Sequence, residues 1–390
     1  MYAKKFTAVG WSSCASSLLM ATAAALSFSC QKGHVDDKPL RDFDVINLVA
    51  NKAKYHPVQP LDPTLINGFG VAWSSGGTAW VNSVGGHVSE LYSVEGVKVR
   101  AVNIPSSNNI ADSAQGFPCG VVFTAGKGFN LPNGGGASLF AFTGFDGVLS
   151  AWNAASGNNA KFIRQPVRSS YTGMAIGTFN GRNFVYGANF ELKRIDAWDT
   201  AFKPDGLAFR DPTLPQDYSP YNVQAIGDSI YVVYAKLGSD GHPVAGAGFG
   251  FVSIFRTNGQ FVKRLASRGT LNAPWGVTMA PASFLEDKDV DNGGEGHGGY
   301  GNVTANSQNG GFDRKSPVIL VGNFGDGHIN VFTPNGDYLG QLQSHQQPIV
   351  IEGLWSLSFP PAGATDPGRL YFSAGPASET DGVFGYLIKH

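Results

Sequence analysis

The chain has 390 residues, 42% of them hydrophobic and only 15% charged, with 52 glycines, which suits a large-cored, turn-rich β protein. Its formal net charge of -1 excludes a general attraction to polyanions, so nucleic acid is not an expected partner. Two of the three cysteines, Cys14 and Cys30, fall in the first thirty residues, so a disulfide framework around Cys119 is excluded as well.

In chain order, Lys4 and Lys5 precede an apolar and small-residue stretch from Phe6 to Phe28, the charged-then-apolar order of a secretory signal. It closes on Leu26, Ser27, Phe28, Ser29 and Cys30, followed by the polar Gln31, Lys32, Gly33 and His34. This junction resembles a bacterial lipoprotein signal peptide, which implies that residues 1–29 are removed and that Cys30 carries the lipid. An ordinary signal cleaved after a small residue and an uncleaved transmembrane anchor are the alternatives, the latter weakened by the Ser, Thr and Gly that interrupt the apolar run. Residues 30–41 are then a lipidated cysteine and tether, and the expected address is the cell envelope, outside the cytoplasm.

A unit of about 50 residues recurs through the rest of the chain, the period of a propeller blade. Each unit opens on an apolar strand, near residues 68, 117, 171, 220, 273 and 353; examples are Gly68-Phe69-Gly70-Val71-Ala72-Trp73 and Ala273-Pro274-Trp275-Gly276-Val277-Thr278. A second strand ending in Asn and a Gly-containing turn follows, as in Trp80-Val81-Asn82 and Val321-Gly322-Asn323-Phe324-Gly325-Asp326-Gly327. Asn and Gly tolerate the left-handed backbone of tight hairpins, so these asparagines are turn residues first. The prediction is an all-β, six-bladed β-propeller over residues 42–390. The alternating segment Phe43 to Val49 has no blade of its own, and it is expected to complete blade six and so close the ring. Residues 284–315, rich in Gly, Asn and Asp, read as a flexible surface insertion in blade five.

The segments Leu271 to Val277, Val321 to Ile329 and Glu352 to Leu357 resemble an uncharacterised family of exported bacterial proteins. That family is similar to NHL-repeat propellers and, more distantly, to the SMP-30/gluconolactonase group. The resemblance spans residues 42 to 388 and implies a six-bladed fold without an assigned activity. Some members resemble proteins with a carboxy-terminal sorting signal, whereas this chain ends on Ile388-Lys389-His390, which fits the expected amino-terminal lipid anchor.

Propeller ligands sit where inner strands begin. That places Asn67, Asn222, Gln224, Trp275 and Trp355, with Tyr171 and Tyr221, as ligand-binding candidates, and Glu352 as the catalytic candidate. As a set they would make a polar mouth with aromatic walls suited to an uncharged carbohydrate or a peptide segment. Taken singly, each has a plainer explanation: aromatics pack between blades and amides satisfy buried backbone. The lactonase-like resemblance implies a divalent cation, such as Ca2+, held by Glu352, Asn222 and Asn67. One carboxylate is few for a hard cation. Asp287, Asp289 and Asp291 alternate as in an acidic calcium loop, but Asn292 and Gly298 occupy the positions where an EF-hand needs Gly and Glu. The histidines are scattered without zinc-ligand spacing, and Cys119, in an apolar run, reads as a small buried hydrophobe.

Two functions follow. The first is a binding or scaffold module anchored to the envelope membrane through Cys30, presenting a propeller face to a glycan, a peptide or an envelope protein. The second is a lactonase-like or other hydrolase with a central-channel site, divalent-metal dependent if the resemblance holds for the cation.

Overall fold

The computed structural model describes residues 40–106, 109–285 and 316–390, with no account of side chains at 107–114 and 283. The signal segment, Cys30, and Asp287, Asp289 and Asp291 lie outside the described residues.

Six sheets built on four antiparallel strands form the body. Their inner strands are Gly68–Trp73, Pro118–Phe123, Tyr171–Phe179, Tyr218–Ile226, Pro274–Ala280 and Leu354–Ser358, within two residues of the openings read from sequence. Burial explains which residues form which strand. Second strands such as Val318–Asn323 are buried throughout, since neighbouring blades cover both faces, and they read as continuous apolar runs. Outermost strands such as Lys98–Asn103 are half exposed and carry the charges.

Blade six is closed as expected. Phe43–Ala50 pairs antiparallel with Val383–Lys389 from Phe43 opposite Lys389 to Ala50 opposite Val383, with an irregularity between Asn47 and Val49. The first described strand is therefore the outer edge of the last blade, and the sheet runs from it through Val383–Lys389 and Leu370–Ala374 to Leu354–Ser358.

Seven apolar clusters make up the described core, and they follow the symmetry of the ring. Six lie between successive blades. Examples are Ala175, Phe184, Val223 and Ile230 between blades three and four, and Leu48, Trp73, Val81 and Tyr371 between blades six and one. The seventh lies on the axis.

Two sequence boundaries are corrected. The tether does not run to residue 41, because Leu40 is buried in the core between blades five and six. The blade-five insertion does not begin at Phe284. Phe284 and Leu285 are buried in a short helical turn, Ala282–Leu285, with the Phe284 ring 5.1 Å from Phe43 and 5.3 Å from Phe359. The size of the Phe284 ring favours burial, which the polar run after Leu285 hides in the sequence.

The loops entering blades one and four are fastened alike. Asp62 accepts from the Thr64 N–H at 3.1 Å and pairs with Lys98 at 2.8 Å on the outer strand of blade one. Asp211 accepts from the Thr213 N–H at 2.8 Å and pairs with Arg264 on the outer strand of blade four. Both sit in an Asp-Pro-Thr sequence.

Candidate functional site

The axis is built by a defect repeated six times. Each inner strand loses register with its neighbour at one position: between Gly68 and Val71, Pro118 and Gly120, Tyr171 and Gly173, Pro220 and Asn222, Pro274 and Gly276, and Leu354 and Leu357. A β-bulge takes a residue out of the ladder and re-aims its side chain. The residues released here are Phe69, Cys119, Thr172, Tyr221, Trp275 and Trp355, all buried, and five of them form the axial cluster. Phe69 stacks on Trp355 at 3.8 Å and meets Trp275 edge-on at 5.1 Å, while Phe324 stacks on the other side of Trp355 at 4.0 Å.

Backbone groups freed by the bulges find side-chain partners, as buried peptide groups must. Trp275 Nε1 donates to the Thr172 carbonyl at 2.8 Å, and Asn222 Nδ2 donates to the Trp275 carbonyl at 3.0 Å. Ser373 donates its hydroxyl to the Phe69 carbonyl. Inner strands also approach each other closely: a Cβ on Gly173 would stand 2.0 Å from Asn222 Oδ1, so only glycine fits there.

The ring is consequently almost solid. An axial cavity touched by all six blades, with Gly70, Gly120, Met174, Asn222, Gly276 and Ser356 among its walls, holds about 10 Å³, the room of a single water. It cannot admit a sugar or a peptide, so a ligand of that size does not enter the axis.

At the end where inner strands begin, the second strands turn back with a shared geometry. The residue closing each second strand donates its N–H to the residue leading into the inner strand of the same blade. The donors are Val84, Phe145, Phe190, Leu237, Phe324 and Gly375, at 2.8 to 3.2 Å. Five are large and apolar and belong to the axial cluster. Blade six has glycine, and a Cβ there would stand 2.0 Å from Asn67 Oδ1, so the gap is filled by Asn67.

Asn67 accepts from Trp355 Nε1 at 2.7 Å and donates from Nδ2 to Glu379 Oε2 at 2.8 Å. Glu379 follows a turn in which Ala377, Ser378 and Glu379 all have left-handed φ, between 54° and 66°. Three consecutive non-glycine residues in that region carry strain of ~1 kcal/mol or more each and persist only where surroundings fix them. Here the Glu352 carboxylate accepts from the Ala377 N–H at 3.0 Å, and Thr380 Oγ1 donates to the Ala377 carbonyl at 2.7 Å. Loss of hydration pushes the Glu379 carboxyl above its usual range, against the opposing effects of the Asn67 hydrogen bond and His242.

The predicted site residues thus separate. Asn67 stands at the mouth. Trp275, Trp355 and Tyr221 fill the axis rather than wall an open pocket, because the bulges turn them inward. Asn222 bridges blades four and five. Gln224 is exposed beside the axial cavity, away from Glu379's hydrogen-bonded chain. Tyr171 packs between blades two and three and donates to Asp196 at 2.8 Å. Glu352 lines a separate recess of about 170 Å³ with Val45, Tyr55 and Val350, where it supports the strained turn. Cys119 is fully buried, donates to the Phe117 carbonyl at 3.3 Å, and has its thiol pushed well up by burial, which removes it as a nucleophile.

Glu352, Asn222 and Asn67 do not converge, so the cation implied by resemblance does not fit that set. Among the described residues, His, Cys, Asp and Glu form no group of three or more with metal-ligating geometry.

No family model matches the chain. Over 290 residues it is 32% identical to uncharacterised protein L690 of Acanthamoeba polyphaga mimivirus, an alignment covering 70% of this chain and 68% of the viral one. The chain belongs to the L690 family. Uncharacterised protein R648 of the same virus, similarly related, is 29% identical over 342 residues, covering 84% of this chain and 76% of its own. Among solved structures, a streptogramin B lyase covers 88% of this chain at 12% identity with a TM-score of 0.47. Virginiamycin B lyase from Staphylococcus aureus covers 89% at 11% identity with a TM-score of 0.41.

Proposed function

We propose that this member of the L690 family is an exported bacterial envelope protein, lipid-anchored through Cys30. In this reading it is a binding module that takes a glycan or peptide on the propeller face carrying Asn67 and Glu379. One observation carries the choice of face: five blades close this end with apolar side chains, whereas the sixth has Gly375, and the Asn67 that fills its place holds the Glu379 carboxylate of a strained turn. Strained backbone of this kind clusters at functional sites. The aromatic plug supports surface recognition over engulfment, since about 10 Å³ remains on the axis.

The test is capture on glycan and peptide arrays by the purified protein, Glu379→Gln and Gln224→Ala. Capture that survives Gln224→Ala and is lost with Glu379→Gln supports the reading. Capture that follows Gln224 instead, or ignores both, contradicts it.

A hydrolytic reading draws support from a different property of the same carboxyl. A pKa raised by desolvation suits a general acid, so the acid of any lactonase-like activity would be Glu379 and not Glu352. Lactone turnover abolished by Glu379→Gln and retained by Glu352→Gln would favour it.

A further inference from the structure

We infer that the Glu379 site recognises an organic cation, an alkylammonium group such as a lysyl side chain presents; the inference rests on the binding reading above and names its ligand chemistry. The six equivalent positions that close the second strands place Val84, Phe145, Phe190, Leu237 and Phe324 around one end of the axis. Phe145, Leu237 and Phe324 keep part of their surface exposed there. At the sixth position Gly375 makes room for Asn67, whose amide holds one oxygen of Glu379.

A carboxylate at the same end of the axis as the partly exposed Phe145 and Phe324 matches an ammonium group on a hydrocarbon stem. The carboxylate supplies charge and hydrogen-bond acceptance, ring faces attract the cation, and the apolar rim covers the stem. A hard metal ion wants six to eight oxygens, which this rim of hydrocarbon does not offer. An anion would meet Glu379 first. An uncharged sugar would leave the carboxylate without a counter-charge.

The Trp355 indole N–H reports on the site directly, because it donates to the same Asn67 that holds Glu379. The full-length protein is titrated with n-butylammonium, tetramethylammonium, n-butanol and calcium chloride while the indole N–H signals are followed by NMR. The expected result is a saturable shift of the Trp355 signal with n-butylammonium, at least tenfold weaker affinity for n-butanol, and at least tenfold loss in Glu379→Gln. Phe324→Leu, which keeps the carboxylate and removes a ring, should weaken tetramethylammonium severalfold. Equal response to n-butylammonium and n-butanol, preferential response to calcium, or unchanged affinity in a folded Glu379→Gln variant would overturn the inference. Glycan or neutral-peptide capture that depends on Glu379 without any ammonium response would overturn the ligand class while leaving the binding face intact.

Discussion

Asp211 has no exposed side-chain surface and faces the Arg264 guanidinium, with Ser253 donating to it at 2.6 Å. These hydrogen bonds hold its carboxyl below the usual aspartate range despite desolvation, which opposes them and is the largest single influence. A depressed carboxyl contributes stability above its unfolded pKa and loses it as pH falls through the folded value. Arg264→Met should therefore cost about 3 kcal/mol at neutral pH, by leaving a buried charge unpaired. The cost should shrink toward pH 3, as urea denaturation at the two pH values would show. Gly375→Ala sets a methyl against Asn67 Oδ1 and should cost ~1–3 kcal/mol in the same assay while releasing Glu379. The Asp-Pro-Thr pair at 62–64 and 211–213 was visible in the sequence as a recurrence three blades apart. Glu379 was not, since sequence position favoured Glu352, which precedes an inner strand. The available signal was an absence, glycine at 375 where the other blades have Val, Phe or Leu.

Strands were more legible than loops because burial writes itself into the pattern of side chains. Second strands read as apolar runs and outer strands as alternation, so the six openings and the closing strand near Val45 were recovered. The bulges were hidden, because one residue out of register looks like two adjacent apolar residues, as in Pro274-Trp275 or Leu354-Trp355. Their effect is large: they convert expected pocket walls into a filled axis. The closing strand itself is anchored by Phe43, fully buried against Phe284. Phe43→Ala should cost ~3–5 kcal/mol. If denaturation instead shows a loss near zero, the strand rests on the last blade without closing the ring.

At the scale of the molecule, six interblade cores and an axial plug carry the packing, and at the end where inner strands begin the equivalent position that departs from the other five is Gly375. Composition and repeats gave access to the architecture, whereas the candidate end emerges from comparing equivalent positions in three dimensions. The address is a separate question with its own check: Cys30→Ser should abolish incorporation of an alkyne-tagged fatty acid and release the protein from membranes, and retained labelling would move the anchor elsewhere. Asn67 holds the Glu379 carboxylate at the apolar-rimmed end of the axis. The most direct measurement is the pH titration of its carboxyl carbon by NMR, assigned with Glu379→Gln. The expected midpoint lies above that of an ordinary glutamate; a midpoint at or below the ordinary value would contradict this placement of Glu379.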